Sequence, residues 1–289
     1  MVLSFRYISK LTSLLSFLIL ASACTDVVEL ELPEPKAQLV VNSTFTPDSA
    51  WAVEVSTSQS SLVSQPYHMV ENAVVEVYHE GQHITTLPHT GKGKYKSDSV
   101  KPQAQQEYTL KVSAPGLPGC TATDFVPSSP DIKNVKLANV TNTKDPQIRE
   151  VEVTFTLQDE PGKANYYYIK AYIHDTSHSG EPFKNYTSLK FVAPFGEEFG
   201  IGSRYFFSDK FIDGQAATLK IRYERPANGK LLTLSITQVS PDYYTYSKTL
   251  EKQSYRDNFL TTPTPVHNNI KNGFGIFAGY HSKSIHIKH

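Results

Sequence analysis

Apolar and polar residues alternate with a period of two through most of the chain, and Pro, Gly, Asn and Asp punctuate the alternation. Trp51, Val53 and Val55 fall on one side of a strand. In Glu107–Val112, Tyr108, Leu110 and Val112 face one way and Glu107, Thr109 and Lys111 the other. The same rule predicts strands over Ala37–Phe45, Asn72–His79, Gln82–Leu87, around Tyr95, and over Cys120–Val126. Thr46-Pro47-Asp48-Ser49, the Gly-rich His89–Gly93 and Pro115-Gly116 supply the turns between them. Glu80-Gly81 is a two-residue hairpin signal. About six or seven short strands with turns between them predict a β-sandwich over residues 37–127.

Pro127–Pro130 marks a boundary, and the pattern resumes as a second sandwich over residues 131–289. Ile132–Leu137, Val151–Leu157, Ala217–Tyr223 and Leu231–Val239 alternate as strands. Asn165–Ile173 differs, because Tyr166, Tyr168, Lys170 and Tyr172 share one face while Tyr167, Ile169, Ala171 and Ile173 share the other. Two largely apolar faces predict a central strand. His174–Lys184 is polar and reads as a loop, and Phe191–Phe211, rich in Phe and Gly, has no clean period. Ser240-Pro241-Asp242 supplies an N-cap, a first-turn proline and a first-turn acid, so a helix is predicted over about 241–255. Tyr243, Tyr246, Leu250 and Gln253 would form its inward side. The glycines of Gly273-Phe274-Gly275-Ile276-Phe277 predict a strand with close backbone approach. The fold class is thus mostly β: two β-sandwich domains of immunoglobulin or transthyretin type, the second with one short helix.

The N-terminus departs from this pattern. Arg6 and Lys10 precede an apolar run, Leu11–Leu20, too short to span a bilayer, which takes about 20 residues. Ala21-Ser22-Ala23 then meets Cys24, which resembles a bacterial lipobox. The expectation is a lipoprotein signal peptide over 1–23 and lipid on Cys24. An ordinary cleavage after Ala23 is the alternative. Residues 24–36, with Asp26, Glu29, Glu31, Glu34, Pro33 and Pro35, read as an acidic tether. If Cys24 carries lipid, Cys120 lacks a partner and reads as a small buried side chain; a Cys24–Cys120 disulfide is the other possibility. Lys plus Arg equals Asp plus Glu at 28 each, so no basic field exists for nucleic acid.

Candidate chemistry is sparse. His174-Asp175-Thr176-Ser177-His178 copies the spacing of a zinc-binding helix but leaves a strand for a Ser/Gly/Pro loop, where that spacing has no meaning. His281, His286 and His289 could meet only if the terminal strand bends. Gly91-Lys92-Gly93-Lys94 lacks the Ser/Thr and the strand–loop–helix frame of a phosphate loop. No G-x-S-x-G occurs, and nothing sets the separation of Glu197 and Glu198. No catalytic residue, metal or cofactor is therefore expected, and the protein reads as a non-enzyme. Asp48-Ser49-Ala50 and Asp98-Ser99-Val100 resemble short O-glycosylation sites of exported bacterial proteins. Trp51, Tyr67 and Tyr205 are candidate stacking residues for glycan or peptide, with core packing as the alternative for each.

The order Tyr95, Tyr108-x-Leu110-x-Val112, Pro115-Gly116 resembles transthyretin-like envelope domains. A longer pattern runs from Leu234-Ser235-Ile236 through Ser240-Pro241-Asp242-Tyr243-Tyr244-x-Tyr246, Phe259, Pro265 and Asn268-Asn269-Ile270 to Asn272-Gly273-Phe274-Gly275-Ile276-Phe277. With Leu39-Val40-Val41-Asn42 and Asp159-x-Pro161-Gly162-x-x-Asn165-Tyr166-Tyr167, it resembles a Bacteroidota outer-membrane lipoprotein family catalogued as domain of unknown function 4249. The resemblance covers nearly the whole chain after Cys24. It departs at Ser43-Thr44, where the family often has Gly, and it offers no catalytic residues to carry over. It implies a lipid-anchored, surface-exposed protein encoded beside a TonB-dependent receptor. The expected role is accessory partner of that receptor in nutrient uptake; the alternative is a free-standing binding module or adhesin.

Overall fold

A computed structural model of the chain describes residues 36–60, 66–142, 145–175, 183–193, 198–226, 230–254 and 264–288. The expected signal peptide, Cys24, most of the tether, His178, Glu197 and His289 lie outside the described residues. In chain order the first strands are β1 (Leu39–Phe45), β2 (Ala52–Thr57), β3 (Val74–His79), β4 (Gln82–Thr86), β5 (His89–Gly91), β6 (Lys94–Lys96), β7 (Glu107–Ala114) and β8 (Leu117–Phe125). There follow β9 (Asp131–Thr141), β10 (Arg149–Gln158), β11 (Tyr166–Asp175), β12 (Phe183–Thr187), β13 (Lys190–Ala193), β14 (Phe199–Ile201) and β15 (Arg204–Ser208). The last elements are β16 (Ala216–Glu224), β17 (Leu231–Val239), the helix α1 (Pro241–Ser254) and β18 (Phe274–Lys288).

These strands make three sheets. The largest has the order β14-β15-β11-β17-β18-β1-β2-β6-β5, with β12 also paired to β11. The second is β13-β16-β10-β9 and the third β4-β3-β7-β8. The fold is mostly β, as the alternation predicts, and Lys36–His289 forms one compact unit. The strands expected in separate sandwiches share a sheet. β18 is long enough to pair with β1 along its first part, from Val40↔Phe274 to Phe45↔Gly279, and with β17 along the rest, from Val239↔Tyr280 to Leu231↔Lys288. Period-two patterning specifies which side chains face inward, but not which strands become neighbours, so this pairing is invisible locally.

Three apolar cores follow from the sheets. Val41, Val53 and Val55 of the largest sheet cluster with Val75, Val77, Leu110 and Val112 of the third. Ile169, Ala171, Leu234 and Ile236 cluster with Val153, Phe155, Leu219 and Ile221 of the second. On the opposite face of the largest sheet, Tyr168, Phe206, Val239 and Ile276 meet Tyr243 and Tyr244 of α1. β11 is central, as its two apolar faces predict, lying between β17 and the β15 and β12 strands.

Local signals hold where backbone chemistry decides. Glu80 and Gly81 both have positive φ, 48° and 77°, and close the two-residue β3–β4 hairpin. The Ser240 hydroxyl accepts the Tyr243 N–H at 3.2 Å and caps α1. At Gly275, φ is 115°, and a Cβ would lie 2.0 Å from the Val41 carbonyl oxygen of the neighbouring strand. Elsewhere packing prevails. Of the predicted side of α1, Tyr243 is buried and Tyr246 packs partly against the core, but Tyr244 and Ser247 are buried too, because Tyr244 stacks on Tyr166 with ring centroids 4.4 Å apart. The His89–Gly93 turn is partly strand β5, and Phe191–Phe211 contains most of β13 together with β14 and β15.

Candidate functional site

The face of β11 that carries Tyr166, Tyr168 and Lys170 is covered by α1 as far as Tyr168, whose ring lies 6.1 Å from that of Tyr243. Beyond that point Lys170 is half-buried at an open cleft of ≈ 360 Å³. β15 pairs with β11 and brings Arg204 to the same cleft, β12 brings Tyr186, and β18 brings Tyr280. The Arg204 Nη1 donates to the Tyr243 hydroxyl at 2.9 Å, which fixes the guanidinium. Its Cζ sits 6.0 Å from the centre of the Tyr168 ring, and the Lys170 Nζ sits 5.6 Å from the same ring. Burial, and then the charges of Lys184 and Arg204, hold the Lys170 ammonium below its usual range. Among the described residues, Lys170, Lys184 and Arg204 form no ion pair with a carboxylate. Burial, then Tyr243 and Asp48, push the Tyr280 phenol up to about 12.

A second group lies at the β10–β11 turn. The carboxylates of Asp159, Asp209 and Asp213 approach within 4.8 Å of one another. Three oxygens in such an arrangement are chemically suited to a hard cation. Each is also engaged by the protein. Asp159 accepts from the Tyr167 hydroxyl at 2.9 Å and the Gly214 N–H at 3.0 Å. Asp209 accepts from the Asn165 N–H and Asp213 from the Gly162 N–H. The group therefore ties the β10–β11 turn to the β15–β16 loop. Burial raises the carboxyl pKa of both Asp159 and Asp209.

A third feature is a sheet edge. Among the described residues β9 is paired only to β10, and its other side is the margin of the second sheet. Leu137 is opposite Val153, whose side chain is in the core, so Leu137 shares the inward face. It nevertheless stays 51% exposed, and Val135 stays 41% exposed, because no described residue covers this margin fully.

The aromatic candidates separate. Trp51 is 1% exposed and packs on Phe45 at 4.9 Å and edge-on to Tyr108 at 5.0 Å, so it is a core side chain and not an exposed stacking surface. The reason is its parity with Val53 and Val55, which faces it inward. Tyr67 is 65% exposed, and Tyr205 is partly buried against the second core. The three do not converge. His174 hydrogen-bonds Thr233 at the end of β11. His281 pairs in register with Gln238 while His286 bonds Thr233, so β18 sends them to opposite faces. Glu198 accepts from Tyr244 and Ser208, which gives it a structural role. Cys120 is a buried free thiol, pushed up to about 11 by burial. Asp48 lies in an exposed turn and Asp98 in an exposed bend.

Sequence reasoning did not single out Lys170 and Arg204. The available signal was Lys170 itself, a lone cation on the tyrosine face of a strand otherwise apolar on both sides. The long C-terminal pattern turns out to be scaffold. Asp242 accepts from His267 at 2.9 Å and from Asn269 at 2.8 Å. The Asn269 amide exchanges two hydrogen bonds with the Phe277 backbone, and Asn268 donates to the Gly273 carbonyl. These side chains pin the loop after α1 onto β18. A comparison with curated proteins gives no match. Residues 25–286 match the family described as "Domain of unknown function (DUF4249)", and the chain belongs to that family.

Proposed function

We propose that this is a non-catalytic lipoprotein of the Bacteroidota outer membrane, anchored through lipid on Cys24 and exposed at the cell surface. In this reading it serves as accessory partner of a TonB-dependent receptor in nutrient uptake, and its sheets pack as two fused β-sandwiches. The observation that supports a protein partner is β9. Its edge, free among the described residues, and the exposed Val135 and Leu137 offer backbone hydrogen bonds and apolar surface together, the combination used in strand addition.

The test is a mild-detergent pull-down from native outer membranes, with a tag inserted after Gly81, where the hairpin tip is open. A β-barrel receptor should co-purify in near-equal amount. It should fall at least about tenfold with Val135→Lys plus Leu137→Lys, surface changes that leave the melting temperature nearly unaltered. A lone lipoprotein, reproducible across detergents, sinks the reading. The cleft at Lys170 and Arg204 favours a second reading, capture of a small ligand by the free-standing protein. Binding by purified protein without a receptor would support it.

A further inference from the structure

We propose that the cleft between β11, β15 and β18 binds a small organic acid, its oxyanion held between Lys170 and Arg204 and its body against the tyrosine rings. This deepens the ligand-capture reading and rests on it; docking at β9 can stand or fall separately. The first argument is charge. Burying a cation is costly, and the cost falls when a partner of opposite charge is close. Here Lys170 is half-buried, and among the described residues the charges that act on it are the positive ones of Lys184 and Arg204. Asp48 acts on Tyr280, after burial and Tyr243, and not on Lys170. An anion in the cleft would relieve that repulsion.

The second argument is geometry. Arg204 is held by its bond to the Tyr243 hydroxyl, so the rest of its fork of donors is oriented in advance. The Tyr168 ring lies beneath both cations and partly compensates them while the site is free. Tyr186, 48% exposed, and Tyr280 give the cleft apolar walls that a bare inorganic ion would not use. The volume of ≈ 360 Å³ suits a small organic molecule rather than a polymer chain.

The experiment is ligand-detected NMR on the intact mature protein with benzoate, its neutral isostere benzamide, and inorganic phosphate. Benzoate should bind, with benzamide and phosphate each at least about tenfold weaker. Lys170→Gln and Arg204→Gln should each lower benzoate affinity about tenfold, and Lys170→Arg should retain it. Lys111→Gln, which removes a lysine placed over Tyr78 outside the cleft, is the control and should change nothing. Melting curves of the variants separate a lost site from a lost fold. If benzamide binds as well as benzoate, ligand capture survives and the organic-acid inference is overturned. If phosphate binds as well as benzoate, the role of the rings is overturned. If no probe binds at millimolar concentration, the inference and the capture reading fall together.

Discussion

Asp124 shows how much one side chain can join. It sits buried at the end of β8 and accepts from the Ser240 hydroxyl, which caps α1, and from the Gly279 N–H of β18 at 2.9 Å. Burial lifts its carboxyl from the ordinary 3.8 to about 7, against the lowering effect of those hydrogen bonds. The folded state therefore holds a proton that the unfolded chain releases. Stability from this group is complete below about pH 4 and is lost as pH rises through about 7. Asp124→Asn keeps an acceptor for both donors and removes the titration. Its unfolding free energy should change less between pH 4 and 8, flattening the profile by roughly 2–4 kcal/mol, as measured by chemical unfolding at each pH. Gly275 gives a sharper expectation. A methyl group there meets the Val41 carbonyl at a positive φ, so Gly275→Ala should cost on the order of 3 kcal/mol or more, read from denaturant midpoints. That constraint is legible in the sequence, since glycines inside a strand pattern announce close backbone approach. Trp51 is legible in its inward parity, but its place in an aromatic cluster is not. Parity assigns a side, and the cluster depends on Phe277, far along the chain.

At the scale of elements, the helix and the hairpin are the most readable parts, because their signals are local. The capping hydroxyl of Ser240 does two jobs, so Ser240→Ala should cost roughly 2–3 kcal/mol, more than an ordinary cap. Thermal or denaturant unfolding of the variant measures it. The inward face of α1 was not readable to the residue. Helical spacing supplies a stripe through Tyr243 and Tyr246, but stacking on the Tyr166 ring of β11 turns the buried side to take in Tyr244. The candidate cleft was illegible for a similar reason. Lys170, Arg204, Tyr186 and Tyr280 come from four strands, and only the β11–β15, β11–β12 and β17–β18 registers bring them together.

For the whole molecule, the decisive pairing is β1 with β18, between the two ends of the described chain. Phe277 and Ile270 also contribute to the core shared by β1, β2, β3 and β7. Residues 36–127 expressed alone therefore lack part of their own core, and should show no cooperative thermal transition by circular dichroism. Contacts so distant in sequence also make folding slow, because the loop must close before they form. Composition and periodicity identify the mostly β class, yet they read the chain as two sandwiches in series. Nothing in a local pattern says that the last strand returns beside the first.

The same pairing has a mechanical meaning. β1 is the first described strand after the N-terminal segment, so a pull at the N-terminus enters the fold there. It runs parallel to β18 over six register pairs and antiparallel to β2 over four. Its hydrogen bonds lie across the direction of pull, so the load is shared among them in shear instead of opening them one by one. A load applied at the N-terminal end would in this way meet β18 on one side of β1 and β2 on the other at once.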